Sequence, residues 1–179
     1  MIGDPQKTCC FIGHRRIEGE KALWETIHLA VERLIGRGVE EFIFGDRSEF
    51  NDLCNKVVAE LQETYPQIRR IQFRVTYPVA DAYTLRFVQG GYDESYFPEE
   101  ICRAGRAAYV ERNRAMIRAS RYCIFYYNPL YTPRPCRRPK KETSAAPPKS
   151  GTQLAYQYAQ KNRKILINLY TTKQADEVR

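Results

Sequence analysis

The chain lacks the usual sequence marks of metal, nucleotide and hydrolase sites. Its six cysteines, Cys9, Cys10, Cys54, Cys102, Cys123 and Cys136, form no C-x-x-C pair, and only His14 and His28 accompany them. A structural zinc ion needs Cys and His ligands grouped at close spacing, so no metal ligands are assigned. There is no G-x-G-x-x-G, no Walker loop and no G-x-S-x-G elbow. The two histidines form no legible triad with a cysteine, and no catalytic residue is assigned. No apolar run approaches the ~20 residues that span a bilayer, and the N-terminus carries no secretory pattern. These absences lead to the expectation of a cytoplasmic chain with no membrane partner and with reduced cysteines. Cys9, Cys10 and Cys123 lie in apolar runs and read as small core residues.

What is present suits one domain over residues 1–179: 43% of the chain is apolar and 12% aromatic, with 13 tyrosines. The net charge is +8, of which residues 134–149 supply +5 through Arg134, Arg137, Arg138, Lys140, Lys141 and Lys149 against Glu142. The rest is only mildly basic, so charge alone does not mark a nucleic-acid binder. Six prolines fall within 128–150, and this segment reads as a flexible basic loop.

Apolar periodicity places strands at Thr8–Ile12, Glu41–Phe44, Arg70–Thr76, Tyr122–Tyr127 and Lys164–Leu169. It places helices at Glu20–Arg37, Asp52–Tyr65, Ile101–Arg118 and Thr152–Lys161. Residues 77–99 read as mostly loop with room for one short helix. Alternating strands and helices predict an α/β three-layer sandwich around a mostly parallel sheet of about five strands. Right-handed crossovers gather the strand ends Gly13, Gly45, Tyr77 and Asn128 on one edge with Gly151.

That edge holds the candidate ligand groups. Gly13-His14-Arg15 follows the first apolar strand: Gly13 permits a tight turn and close ligand approach, and Arg15 can grip a phosphate with two parallel bonds. His14 can donate to a phosphate or stack on a ring. Gly45-Asp46 ends the second strand, and Asn51 or Asp52 can cap a helix whose N-terminus suits an anion. Arg112-Asn113 lies on a helix with Arg103, Arg106, Arg114 and Arg118, which a solvated basic face would also explain. Ser150-Gly151-Thr152 opens the last helix, as an ordinary cap or as a phosphate cradle.

Taken together, these turns resemble the SLOG superfamily, the Smf/DprA and LOG-type Rossmannoid domains, and most closely its YpsA-like branch. Thr8-Cys9-Cys10-Phe11-Ile12-Gly13-His14-Arg15 is similar to that branch's opening Thr-Cys-x-Phe-Thr-Gly-His-Arg. Phe44-Gly45 with Phe50-Asn51 resembles its second turn, although Asp46 and Glu49 stand where glycines are usual and Asn51 where aspartate is. Tyr109, Arg112-Asn113, Met116-Ile117 and Ser120 resemble its helix before a buried strand. Ser150-Gly151-Thr152 with Tyr156 and Ala159 resembles its Gly-Gly-Thr and Tyr-Ala pair. The resemblance implies a Rossmann-like fold, a nucleotide or an ADP-ribose- or NAD-like ligand, and a homodimer. LOG-type relatives cleave N-glycosidic bonds with a glutamate three residues past the threonine, where this chain has Ala155. The expectation is therefore a nucleotide-binding or nucleotide-sensing domain without strong catalysis. Two alternatives stand beside it. One is a nucleotide N-glycosidase or deoxyribosyl-transfer enzyme using Asp46, Glu49 or Asp52. The other is a nucleic-acid binder using the basic loop and the arginine-rich helix.

Overall fold

The first apolar run forms β1 (Thr8–Gly13), which lies between β2 (Glu41–Phe44) and β5 (Tyr122–Tyr126). A computed structural model of the chain describes residues 3–45, 48–75, 91–131 and 149–170. Within them β3 (Arg69–Phe73), β4 (Glu94–Tyr96) and β6 (Ile165–Asn168) complete a six-stranded sheet of order β4-β3-β2-β1-β5-β6. Every strand pair is parallel. Helices α1 (Glu20–Ile35) and α2 (Glu49–Thr64) cover one face, and α3 (Ala108–Arg118) and α4 (Gly151–Lys161) the other. This is a Rossmann-like α/β sandwich.

Both faces of the central strands are covered, so these strands are apolar without a break. Cys9, Phe11, Phe42, Phe44, Ile124 and Tyr126 point to the α1/α2 layer. Cys10, Ile12, Ile43, Ile71, Cys123 and Phe125 point to the α3/α4 layer. At the opposite edge from the strand ends, buried Glu41 accepts from Gly3 N–H at 2.9 Å and from Thr8 Oγ1 at 3.3 Å. Arg69 bridges Glu41 and Glu94. Thr8, Glu41 and Arg69 are register partners on β1, β2 and β3, so this polar chain pins the alignment of the three strands.

The sheet has six strands rather than about five. The additional strand, β4, is three residues of Glu-Ser-Tyr on an edge; it buries no apolar face and so leaves no apolar alternation in the sequence. The helix expected over Ile101–Arg118 is divided, with 3₁₀ turns at Glu99–Arg103 and Gly105–Ala107 before α3, and Gly105 has φ of 50°. Helix α2 starts at Glu49 rather than Asp52, because the cap is Ser48, whose hydroxyl accepts Asn51 N–H at 3.3 Å. Helix α1 stops at Ile35, with Gly36 as its C-cap and Gly38 beyond at φ of 84°. Strand β3 ends at Phe73, and Arg74 N–H then donates to Tyr96 O. Tyr127 falls outside β5 because its N–H donates to the Asn168 side chain. The last strand is likewise trimmed to Ile165–Asn168. Thr76, Tyr77, the short helix allowed within 77–99, residues 132–148 of the basic loop and the tail after Tyr170 lie wholly or partly outside the described residues. Among the described residues no helix is long and apolar enough to cross a membrane.

Gly13 closes β1 against α2. A Cβ there would lie 2.4 Å from Phe50 Cδ1, and Phe50 is fully buried and stacked on Tyr126 at 5.6 Å. Overpacking of this kind costs about 1–3 kcal/mol. Urea denaturation of Gly13→Ala is expected to show that loss, and Phe50→Leu added to Gly13→Ala should cost less than it costs alone. Additive losses in the double variant would show that the two residues do not compete for the same space.

Candidate functional site

Strands β1 to β4 step outward on one side of β1, and β5 and β6 lie on the other. The chain therefore leaves the ends of β1 and β5 toward opposite faces, and a crevice opens between them. A cavity of about 370 Å³ occupies it. Its lining includes Gly13, His14 and Arg15 from the end of β1, Ser48 and Asn51 from the start of α2, Tyr109, Arg112 and Asn113 from α3, Tyr131, and Lys149, Ser150, Gly151 and Thr152 at the start of α4.

His14 is only 4% exposed and is bonded on three sides. Its N–H donates to Tyr126 O at 3.3 Å, its carbonyl accepts from Ser48 Oγ at 3.1 Å, and its Nε2 accepts Asn128 N–H at 3.0 Å. The ring stacks on Tyr131 at 4.2 Å. Burial pushes its pKa below the ordinary histidine value, and an imidazolium has no lone pair with which to accept the Asn128 N–H. His14 is thus neutral, with its proton on Nδ1.

The turn after His14 is tied to α2. Arg15 O accepts Glu49 N–H at 2.9 Å, and the Glu49 carboxylate accepts Ile17 N–H at 3.0 Å. Glu49 therefore does not line the cavity, despite its place in the second turn. Asp52 is exposed and also outside the lining. Arg15 itself is exposed, at the rim.

Arg112 and Asn113 are buried, at 6% and 8% exposure, rather than on a solvated face. The Arg112 guanidinium donates to Asn113 Oδ1 at 2.9 Å and 3.3 Å and lies over the Tyr109 ring at 5.4 Å. Gly45 makes room for it: a Cβ at 45 would lie 2.8 Å from Arg112 Nη2. Gly45 N–H donates to Asn51 Oδ1 at 2.9 Å, so Asn51 holds the strand end while Ser48 caps the helix. The remaining arginines of α3 are engaged elsewhere. Arg114 pairs with Glu111 at 2.7 Å and lies over Tyr158, and Arg118 pairs with Glu100 at 2.9 Å.

At α4 the Ser150 hydroxyl accepts Gln153 N–H at 3.1 Å, the ordinary cap. The backbone N–H groups of Gly151 and Thr152 make no hydrogen bond among the described residues. Lys149 Nζ donates to Gln157 at 3.0 Å beside them. Ala155 is 3% exposed in the α3/α4 core and does not line the cavity.

The structure thus gathers Gly13, His14, Arg15, Asn51, Arg112, Asn113, Ser150, Gly151 and Thr152 around one cavity, with Gly45 behind Arg112. Asp46 lies outside the described residues. Sequence reasoning missed Ser48, Tyr109, Tyr131 and Lys149 as lining groups. Ser48 stands at the cap position that side-chain chemistry favours, three residues before Asn51. Tyr109 carried part of the family resemblance. Tyr131 and Lys149 left no local signal, being brought to the cavity by the chain path alone.

A histidine held neutral by the fold destabilises the native state as acid is added, because the unfolded chain takes up the proton more readily. His14's contribution is complete above about pH 6.5 and is lost as pH falls from there through its lowered native value. Urea midpoints measured from about pH 7 to about pH 5 should fall for the wild type and fall less for His14→Gln. Equal slopes would show that His14 is not the group responsible.

Comparison with protein-family models and with curated proteins gave no match to this chain.

Proposed function

We propose that the chain binds a nucleotide or nucleotide derivative in the β1–β5 crevice and acts as a binding or sensing domain. One observation carries this reading: Arg15, Arg112 and Lys149 converge with the N-terminus of α4 on one cavity, and no carboxylate is found among its described lining residues. Unbonded N–H groups at a helix start favour an anion. Phosphate would sit among Gly13, Arg15, Gly151 and Thr152. His14, Asn113 and the neighbouring Tyr109 and Tyr131 would orient sugar and base, with Tyr131 as a stacking surface. The sequence resemblance to the YpsA-like SLOG branch, which implies a nucleotide binder that dimerises, supports this reading.

Binding is preferred to glycosidic cleavage on the positions of Glu49 and Asp52, the candidate acids among the described residues; Asp46 lies outside them. Glycosyl transfer needs a carboxylate at the reacting sugar carbon. Glu49 is turned to the Ile17 N–H, Asp52 is outside the lining, and Ala155 is buried in the core. Nucleic-acid binding through α3 has less support, because Arg114 and Arg118 are paired with Glu111 and Glu100.

Thermal shift and calorimetry with nucleoside phosphates, NAD and ADP-ribose test the proposal. A ligand that binds the native state raises the melting temperature with its concentration. Arg15→Ala removes an exposed side chain, so the free protein should melt as the wild type does. Ligand affinity should fall by about tenfold or more, the scale of one charge-assisted contact. No stabilisation by any of these ligands, or unchanged affinity in Arg15→Ala, would sink the reading.

A further inference from the structure

We infer that Asn51, Asn113 and His14 select the ligand by donating three neutral N–H groups to oxygens of a nucleotide that carry no hydrogen, phosphoryl or base carbonyl. This rests on the nucleotide reading above and names side chains that set its specificity.

The orientation of two buried amides carries the argument. An asparagine side chain has a carbonyl oxygen that accepts and an amino group that donates. The Asn51 oxygen takes the Gly45 N–H at 2.9 Å, and the Asn113 oxygen takes the Arg112 guanidinium at 2.9 Å and 3.3 Å. Both partners can only donate. A turned amide would set N–H against N–H, so both amides are locked. Their amino groups make no hydrogen bond among the described residues. Among the described residues, the buried side-chain atoms that are both sealed off and unbonded are Gln72 Oε1 and Ser120 Oγ. The two amino groups are therefore open, although their residues are only 4% and 8% exposed, and both residues line the cavity.

His14 supplies the third donor. Asn128 N–H occupies its Nε2, which leaves the proton on Nδ1. That N–H makes no bond among the described residues and is not sealed off. Three residues, each more than nine-tenths buried, thus keep an unspent N–H beside one cavity. They come from the end of β1, the first turn of α2 and α3. Water meets these donors in the free protein, and a ligand that displaces it must accept in its place. The N-terminus of α4, Arg15 and Lys149 line the same cavity and favour oxygens that carry negative charge. A ligand hydroxyl also accepts, but it can turn its own proton toward the Ser48 or Asn51 oxygen. Exchanging an amino group for a carboxylate oxygen separates the two cases. A hydroxyl donates to the new oxygen and keeps its affinity. An oxygen without hydrogen meets a second acceptor and loses it.

Calorimetry at about pH 8, where a carboxyl is ionised, tests this with UMP, GMP, uridine, guanosine and inorganic pyrophosphate. Asn113→Asp keeps the oxygen for Arg112, and Asn51→Asp keeps the oxygen for Gly45 and adds an acid to the first turn of α2, where it suits the helix. Urea midpoints at or above that of the wild type are expected for both. Each should weaken the nucleotides by about tenfold or more. Repulsion acting at a distance is screened by salt, so the loss should be the same at about 0.15 M and about 1 M. His14→Gln adds no charge, retains an oxygen for Asn128 N–H and removes the Nδ1 donor. It should weaken the nucleotides by about tenfold and serves if an Asp variant does not fold. A loss shared by pyrophosphate and absent from the nucleosides identifies the oxygens as phosphoryl, and a loss shared by the nucleosides identifies them as carbonyl. Undiminished nucleotide affinity in the folded variants, or an Asp penalty that vanishes at high salt, would overturn this inference and leave nucleotide binding standing. Pyrophosphate binding that the variants weaken, with no nucleotide binding, would overturn the nucleotide reading alone. Binding of none of the probes by the wild type overturns both.

Discussion

The acceptance of the Asn128 N–H by His14 Nε2 joins the two strand ends between which the cavity lies. One residue past β1, His14 is bonded through its backbone to β5 and to the cap of α2, and through its ring to the chain leaving β5. Gly13 immediately before it has no space for a side chain beside Phe50. The crevice is thus held at a set width by packing on one side and hydrogen bonds on the other. A crevice of set width can present its polar groups at fixed distances, which is the condition for recognising a small anion without first ordering the site.

Sorting of hydrogen-bond character follows from this frame. Strand ends and helix starts leave backbone donors unpaired, and side-chain oxygens on the turns accept several of them. Asn51 satisfies the end of β2, Ser48 the start of α2 and Ser150 the start of α4. The cost of burying Arg112 is met in part by Asn113 Oδ1 and by the Tyr109 ring. The same contact that satisfies the arginine aims the amide.

Much of this was legible in the sequence. The central strands are apolar on both faces, and their ends are marked by Gly13 and Gly45, so parallel order and the edge that holds the cavity could be inferred together. Ser150 capping α4 is a local signal of the same sort. The edge strand β4 was not legible, since Glu94-Ser95-Tyr96 takes its conformation from pairing with β3 rather than from an apolar face of its own. The split before α3 hinged on one backbone angle, at Gly105. A solvated face stayed open as an alternative for Arg112, a candidate ligand group, because spacing cannot show that Gly45, far along the chain, leaves room for a guanidinium. Glu49 read as a candidate acid because only the path of the turn shows its carboxylate on the Ile17 N–H.

The two bonds from α2 to the turn after β1, Glu49 N–H to Arg15 O and Ile17 N–H to the Glu49 carboxylate, have a consequence for entropy. They fix the main chain on both sides of Arg15 while its exposed side chain remains unbonded among the described residues. An anion that recruits this guanidinium has only rotamer freedom to remove, about 2 kcal/mol for an arginine, whereas ordering a loose turn would add about 1–2 kcal/mol for each backbone residue. Arg15 is a swinging arm on a rigid shoulder.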